Sequence, residues 1–473
     1  MIVAREREIQ VLTSTLEEEY SQFIAVYGRR RVGKTFLILE SFDYTFTFQH
    51  SGLANGSLSD QLYAFTDSLR DAGLQNFAQP KNWLEAFSLL KELIRSSQSK
   101  KKVVFIDELS WMDTPKSGFV TALESFWNGW ASARKDIVLI VCASATSWML
   151  NKIIHNKGGL YNRLTNRIHL QPFTLRECEE YLHAQGIELS KHQILECYMI
   201  MGGVPYYWSF LEKGKSLSQN IDSMFFSRDA ILAHEFDHLY ASLFSHPEDY
   251  LKIVSALAGK KAGLTREELV ASTKLADSGA LSKKLDELES CGFVRKYHAY
   301  GKAKRGALFQ LIDNFTLFYY KFLSNGSPDE HLWEHSIDSA VKNAWCGLAF
   351  ERVCLEHIPQ IKRALGISGV LTEVDAWSCK ADPDRGVFGS QIDILIARRD
   401  QVINLCEMKY SRDEFAITKA VDAAIRHKLN DFRLLSKSKD ALHVTLVTTY
   451  GLKDNSYSGI VQSVVTADDL FAE

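Results

Sequence analysis

The stretch FIAVYGRRRVGKTFLILESF (Phe23–Phe42) constrains this chain more than any other, because an apolar strand pattern runs into GxxxxGKT and then into an apolar helix pattern. In that setting Gly28 and Gly33 let successive backbone N–H groups curl around an anion at a helix N-terminus. Lys34 stands where it reaches the β- and γ-phosphates of a nucleotide, and the Thr35 hydroxyl where it ligates Mg²⁺. The rival reading, a chance glycine turn, needs both flanking patterns to be accidental. Arg29, Arg30 and Arg31 inside the loop can face nucleotide, a neighbouring domain or nucleic acid, or form solvated and intramolecular ion pairs.

The second half of such a site is KKVVFIDELSWM (Lys101–Met112), an apolar strand ending in adjacent acids. Asp107 at the strand end suits the Mg²⁺ shell, and Glu108 suits polarisation of an attacking water; without the loop about 70 residues upstream the pair would read as a polar strand cap. A further apolar strand, DIVLIVCASATSWM, ends in Ser144 and Thr146, of which Ser144 is the better placed to sense a γ-phosphate. The guanine-reading Asn-Lys-x-Asp pattern does not occur, since neither Asn151-Lys152 nor Asn156-Lys157 is followed by the required Asp. ATP is the expected nucleotide.

At 473 residues the chain is too long for one ordinary core and predicts about three domains. A hydrophobic fraction of 46% with 24% charged residues fits a folded soluble protein. Charged residues appear from Arg5 onward and no uncharged apolar run of about 18 residues occurs, which predicts a cytoplasmic protein without a membrane span. Eight cysteines never fall in CxxC spacing and read as reduced core residues. A net charge of −3 confines any nucleic-acid surface to a local patch.

The opening VAREREIQVL, the loop YGRRRVGKT, the strand FIDEL, the stretch LYNRLTNRIHLQPFTLRE and the phrase GGVPYYW resemble, and occur in the order of, those of the archaeal-type ATPase family, a STAND/AAA+-related group; the resemblance covers about the first half of the chain. That family usually has a glycine before its opening Arg-Glu, and Ala4 stands there in this chain. The resemblance implies a helical lid after the ATPase core, an approach of Arg163 to the nucleotide, and a helix junction shaped by Gly202, Gly203 and Pro205.

His234-Glu235-Phe236-Asp237-His238 satisfies HExxH, but no glycine turn or correctly spaced third ligand follows, so a packed linker helix is expected in place of a zinc site. From Pro247 the pattern becomes helix (TREELVAST), then helix with Leu281, Leu285 and Leu288 at i, i+4, i+7, then a β-wing. This resembles a winged helix-turn-helix, and FQLIDNFTLFYYKFL matches the segment after that module in the same ATPase family. Arg295, Lys296, Lys302, Lys304 and Arg305 fall there with no acid among them, so Lys302, Lys304 and Arg305 are expected to contact DNA phosphates. A dry protein–protein module stays open as the alternative. NGSPDEH (Asn325–His331) reads as a linker.

The run QIDILIARRDQVINLCEMKY (Gln391–Tyr410) reads as two strands in a hairpin centred near Asp400, with Asp393 across from Glu407. Carboxylates so opposed, with Cβ atoms about 5 Å apart, destabilise a sheet unless a cation sits between them. Glu407 and Lys409 share a face. A hard divalent ion held by carboxylates beside a lysine is the equipment of metal-assisted phosphodiester hydrolysis; the rival is a surface hairpin with a solvated Glu/Lys pair. The spacing Asp-x13-Glu-x-Lys resembles the PD-(D/E)XK nuclease superfamily, whose further acid lies on the preceding helix, where GLAFERVCLEHI (Gly347–Ile358) offers Glu351. The resemblance implies catalytic roles for Glu351, Asp393, Glu407 and Lys409, with Mg²⁺ or Mn²⁺ on Asp393 and Glu407.

The expected fold is α/β and multidomain: a P-loop ATPase core with a parallel sheet (1–170), a helical lid (171–245), a winged helix-turn-helix (246–325) and a PD-(D/E)XK nuclease-like domain (335–473). The expected function is an ATP-driven, DNA-binding switch whose ATPase controls a metal-dependent nuclease. The rival is a regulator whose nuclease-like domain binds DNA or a protein without cutting. RNA as substrate and homo-oligomerisation stay open.

Overall fold

The computed structural model describes residues 2–156, 158–244, 246–301, 306–326 and 328–472. The chain divides into two compact units, Met1–Pro172 and Phe173–Glu473. The first is built on five strands, β1 (Gln22–Tyr27), β2 (Phe48–Ser51), β3 (Lys102–Asp107), β4 (Ile137–Ala143) and β5 (Asn166–His169), in the order β2-β3-β4-β1-β5. Every pairing is parallel. Both faces of the three central strands β1, β3 and β4 are covered, so these read as nearly unbroken apolar runs, and alternate residues feed two separate cores. Phe23, Ala25, Val104, Ile106, Leu139 and Val141 enter one; Ile24, Val26, Val103, Phe105, Ile140 and Cys142 enter the other.

The second unit opens with helices Leu175–Gln185 and Lys191–Met201, each started by a reciprocal cap, Thr174 with Glu177 and Ser190 with Gln193. Gly203, just after the second helix, lies against the residue ahead of the first, where a Cβ would stand 1.8 Å from the Phe173 carbonyl oxygen. Pro205 begins the next short helix, Pro205–Trp208. In the HExxH segment His234 and His238 are exposed while Glu235 is buried and accepts a 2.9 Å bond from the Tyr207 hydroxyl. The helix Glu235–Leu243 therefore packs through its glutamate, and the two histidines do not share a site with it.

Next come helix Pro247–Ala258, β6 (Leu264–Thr265), helices Arg266–Thr273 and Gly279–Ser290, then β7 (Val294–Tyr297) and β8 (Leu308–Leu311). The three strands form an antiparallel sheet in the order β6-β8-β7, and Leu281, Leu285 and Leu288 are buried. Arg295 turns inward: its Nε donates to Gln310 Oε1 at 2.5 Å, and burial pulls its pKa down to about 10. Lys302, Lys304 and Arg305 lie outside the described residues.

The last sheet holds β9 (Thr372–Cys379), β10 (Ser390–Arg398), β11 (Val402–Lys409), β13 (Ala441–Thr448) and β15 (Ser463–Thr466), in the order β15-β13-β11-β10-β9; β12 (Phe415–Ala416) and β14 (Leu452–Lys453) pair separately. Strands β9, β10 and β11 are antiparallel neighbours, whereas β11, β13 and β15 run parallel. Helix Ala340–Glu356 packs on β11, and helix Lys419–Ser436, which links β11 to β13, packs on β10. All eight cysteines are free thiols.

Candidate functional sites

In the first unit the site forms at the C-terminal ends of the adjacent strands β1, β4 and β3, where open parallel sheets bind ligands. Gly28 has φ 145°, and a Cβ there would stand 2.3 Å from the Leu170 carbonyl oxygen; Gly33 has φ 88° and precedes helix Lys34–Ser41. The Lys34 ammonium donates to the carbonyls of Gly28 and Arg29, both at 2.9 Å, so it already lies within the curl of the loop. Thr35 donates its hydroxyl to Asp107 Oδ2 at 2.6 Å. Two hard oxygen donors set this close suit an octahedral Mg²⁺ that completes its shell with phosphate and water.

Glu108 has a left-handed φ of 47°, which turns it out of β3, and it accepts from Ser144 Oγ at 2.6 Å and from the Ser144 N–H at 3.3 Å. Arg163 lies exposed ahead of β5. At the N-terminal end Ala4 and Arg5 have φ of 56° and 83°, so the position where a glycine was expected does require the left-handed region. Arg5 Nη2 donates to the Gln171 carbonyl at 2.6 Å.

A second site lies in the Phe173–Glu473 unit. The β10–β11 register pairs Ile394 with Cys406 and turns about Asp400; one further step brings Asp393 across from Glu407, just past the last paired residues. On its other side β10 carries an irregularity between Ile392 and Leu395, a bulge of the kind that re-aims a side chain, here that of Asp393. Glu351, Asp393, Glu407 and Lys409 line one cavity of about 420 Å³, together with Lys261, Gln391 and Lys428.

Each carboxylate in this cavity meets an amine or an amide. Glu407 accepts from Lys409 Nζ at 2.7 Å and from Lys428 Nζ at 2.6 Å. Burial favours its neutral form, but Lys428 and Lys409 outweigh that and hold its pKa below the ordinary value. Asp393 accepts from Gln391 Nε2 at 2.6 Å, and its other oxygen lies 3.3 Å from Lys261 Nζ. Glu351 accepts from Lys261 Nζ at 2.7 Å through Oε1, while Oε2 is buried without a hydrogen-bond partner. Burial, with the charge of Asp393 beside it, pushes the Glu351 carboxyl above its ordinary value.

An orphaned buried carboxylate oxygen beside a second carboxylate fits a hard cation. The three acids are nevertheless not gathered as a finished ligand shell. Among the described residues, only Asp222, His331 and Glu334 have ligand atoms mutually within 4.8 Å, and there both Asp222 oxygens already accept the N–H groups of Trp333 and Glu334. Lys261, Lys428 and Gln391 were not foreseen. Gln391 lies on the same strand as Asp393 and Lys428 is 21 positions from Glu407, but nothing in their local pattern marks them; Lys261 is 90 positions from Glu351.

Residues 2–211 match a family model described as an ATPase domain predominantly from Archaea, so this part of the chain is a P-loop ATPase domain. An uncharacterized protein of Methanocaldococcus jannaschii is 25% identical over 381 residues, 80% of this chain and 82% of that protein. Among solved structures, the Walker-type ATPase of Pyrococcus abyssi aligns over 68% of this chain and 96% of its own at 14% identity, with a TM-score of 0.47. The Aeropyrum pernix ORC2 protein, in ADPNP–ADP complexes, aligns over 71% and 96% at 15% identity, with a TM-score of 0.43. Among the described residues no helix is long and apolar enough to cross a membrane.

Proposed function

We propose that this protein binds and hydrolyses ATP, engages DNA, and carries in its C-terminal part a Mg²⁺-dependent nuclease site governed by the ATPase. In the ATPase core (1–170) Gly28 and Gly33 cradle the phosphates and Lys34 offsets their charge. Thr35 and Asp107 hold Mg²⁺, Glu108 polarises water, Ser144 senses the γ-phosphate, and Arg163 approaches the nucleotide. Residues 171–245 act as the lid. Residues 246–325 form a winged helix whose Lys302, Lys304 and Arg305 meet phosphates without reading bases.

The nuclease reading of residues 335–473 rests on one observation: Glu351 from a helix, Asp393 from β10, and Glu407 and Lys409 from β11 line one cavity. They do so within the order helix, three antiparallel strands, helix, parallel strand. A divalent cation held by Asp393 and Glu407, with Glu351 beside it, would supply Lewis-acid polarisation of a phosphodiester and an activated water. Lys409 contributes no ligand atom and instead neutralises charge developing on the phosphate.

A second reading, binding without cleavage, draws on the amines of Lys261, Lys409 and Lys428 that already neutralise the acids. Purified protein incubated with plasmid and short branched DNAs, with Mg²⁺ or Mn²⁺ and with or without ATP, separates the two. Metal-dependent strand scission is expected; DNA retention with no scission under any of these conditions favours the regulator.

A further inference from the structure

Lys261 belongs to the turn between helix Pro247–Ala258 and β6, far in sequence from the acids it meets. Its backbone is fixed from two sides. The Lys261 carbonyl accepts from Gln310 Nε2 of β8 at 2.5 Å and from Arg352 Nη2 at 2.7 Å, and Arg352 is the residue next to Glu351. The Tyr297 hydroxyl donates to the Ala262 carbonyl at 2.5 Å. At Gly263, φ 78°, a Cβ would stand 2.1 Å from the Phe309 carbonyl oxygen, which holds the turn against β8.

The Lys261 side chain is less confined: it is 48% exposed, whereas those of Glu351 and Asp393 are 11% and 14% exposed. It reaches in from the rim and sets a single ammonium 2.7 Å from Glu351 Oε1 and 3.3 Å from Asp393 Oδ2. An ammonium placed between two carboxylates takes the position that a hard divalent ion would and offsets one of their two charges.

We propose that Lys261 is the resident counter-ion of the Glu351–Asp393 pair, so that a divalent metal enters this cavity only by exchange with its ammonium. The proposal rests on the metal reading of the cavity and adds its control. Metal binding and seating of the Lys261 side chain oppose each other, and by linkage whatever draws that side chain out strengthens metal binding by the same factor that metal binding favours its withdrawal. The turn belongs to the segment read as the winged helix, so a DNA phosphate that meets that segment is one group able to draw the exposed ammonium outward.

Calorimetric titration of the full-length protein with Mn²⁺ tests this. Lys261→Met keeps the stem and removes the charge, and should tighten Asp393-dependent Mn²⁺ binding by about tenfold or more. Lys261→Arg should stay near wild type, and Lys261→Met/Asp393→Ala should lose the gain. Unchanged or weaker binding in Lys261→Met overturns the proposal alone. Mn²⁺ binding that Asp393→Ala alters in neither background overturns the metal reading as well. If Lys261→Met fails to fold, reductive methylation of the wild type followed by mass spectrometry serves instead: Lys261 should label faster with Mn²⁺ present, and equal rates would overturn the exchange.

Discussion

Glu108 leaves β3 in a left-handed conformation and is held by Ser144 Oγ at 2.6 Å, which keeps a carboxylate at the edge of the phosphate loop. Lys34, 5% exposed, lies among the loop carbonyls. The function proposed above gives the two residues separable tasks, one toward water and one toward phosphate. Glu108→Gln should leave nucleotide bound while slowing hydrolysis at least about a hundredfold, because an amide cannot polarise water as a carboxylate does. Lys34→Ala should abolish turnover and weaken binding. Nucleotide affinity by fluorescence titration and turnover by phosphate release check this, and equal loss of binding in both variants would contradict it.

His357 ties the end of helix Ala340–Glu356 to the start of helix Leu175–Gln185, and it does so as a neutral ring. Its Nδ1 donates to the Val353 carbonyl at 2.8 Å while Nε2 accepts the Leu175 N–H at 3.1 Å. Burial lowers its pKa from 6.5 to about 4. Between those values the unfolded chain takes up the proton more readily, so this contribution to stability is whole above pH 6.5 and is lost as pH falls toward 4. About 2 kcal/mol should disappear between about pH 7.5 and pH 5. His357→Gln, whose amide oxygen can accept the same N–H without titrating, should show a shallower pH dependence of its urea midpoint; an identical slope would contradict the assignment. The elements legible in the sequence were those written locally: GxxxxGKT after an apolar strand, acids ending an apolar strand, and a hairpin whose alternation fixes its own centre at Asp400. Lys261 and Lys428 were not legible, because a lone lysine in a turn or on an amphipathic helix acquires its partner only through tertiary packing. The bulge that re-aims Asp393 escaped for a related reason, since it depends on the pairing with β9.

Across the whole molecule the proposed function places two chemistries on separate sets of residues: nucleotide hydrolysis would belong to the Met1–Pro172 unit and phosphodiester cleavage to the Phe173–Glu473 unit. That division predicts that removing an acid from the second leaves the chemistry of the first intact. The most direct measurement records plasmid nicking and ATP turnover in the same Mg²⁺-containing samples of wild type and Asp393→Ala. Cleavage by the wild type, cleavage reduced to background in Asp393→Ala, and equal ATP turnover in both are expected; cleavage that survives the loss of Asp393 would contradict the assignment.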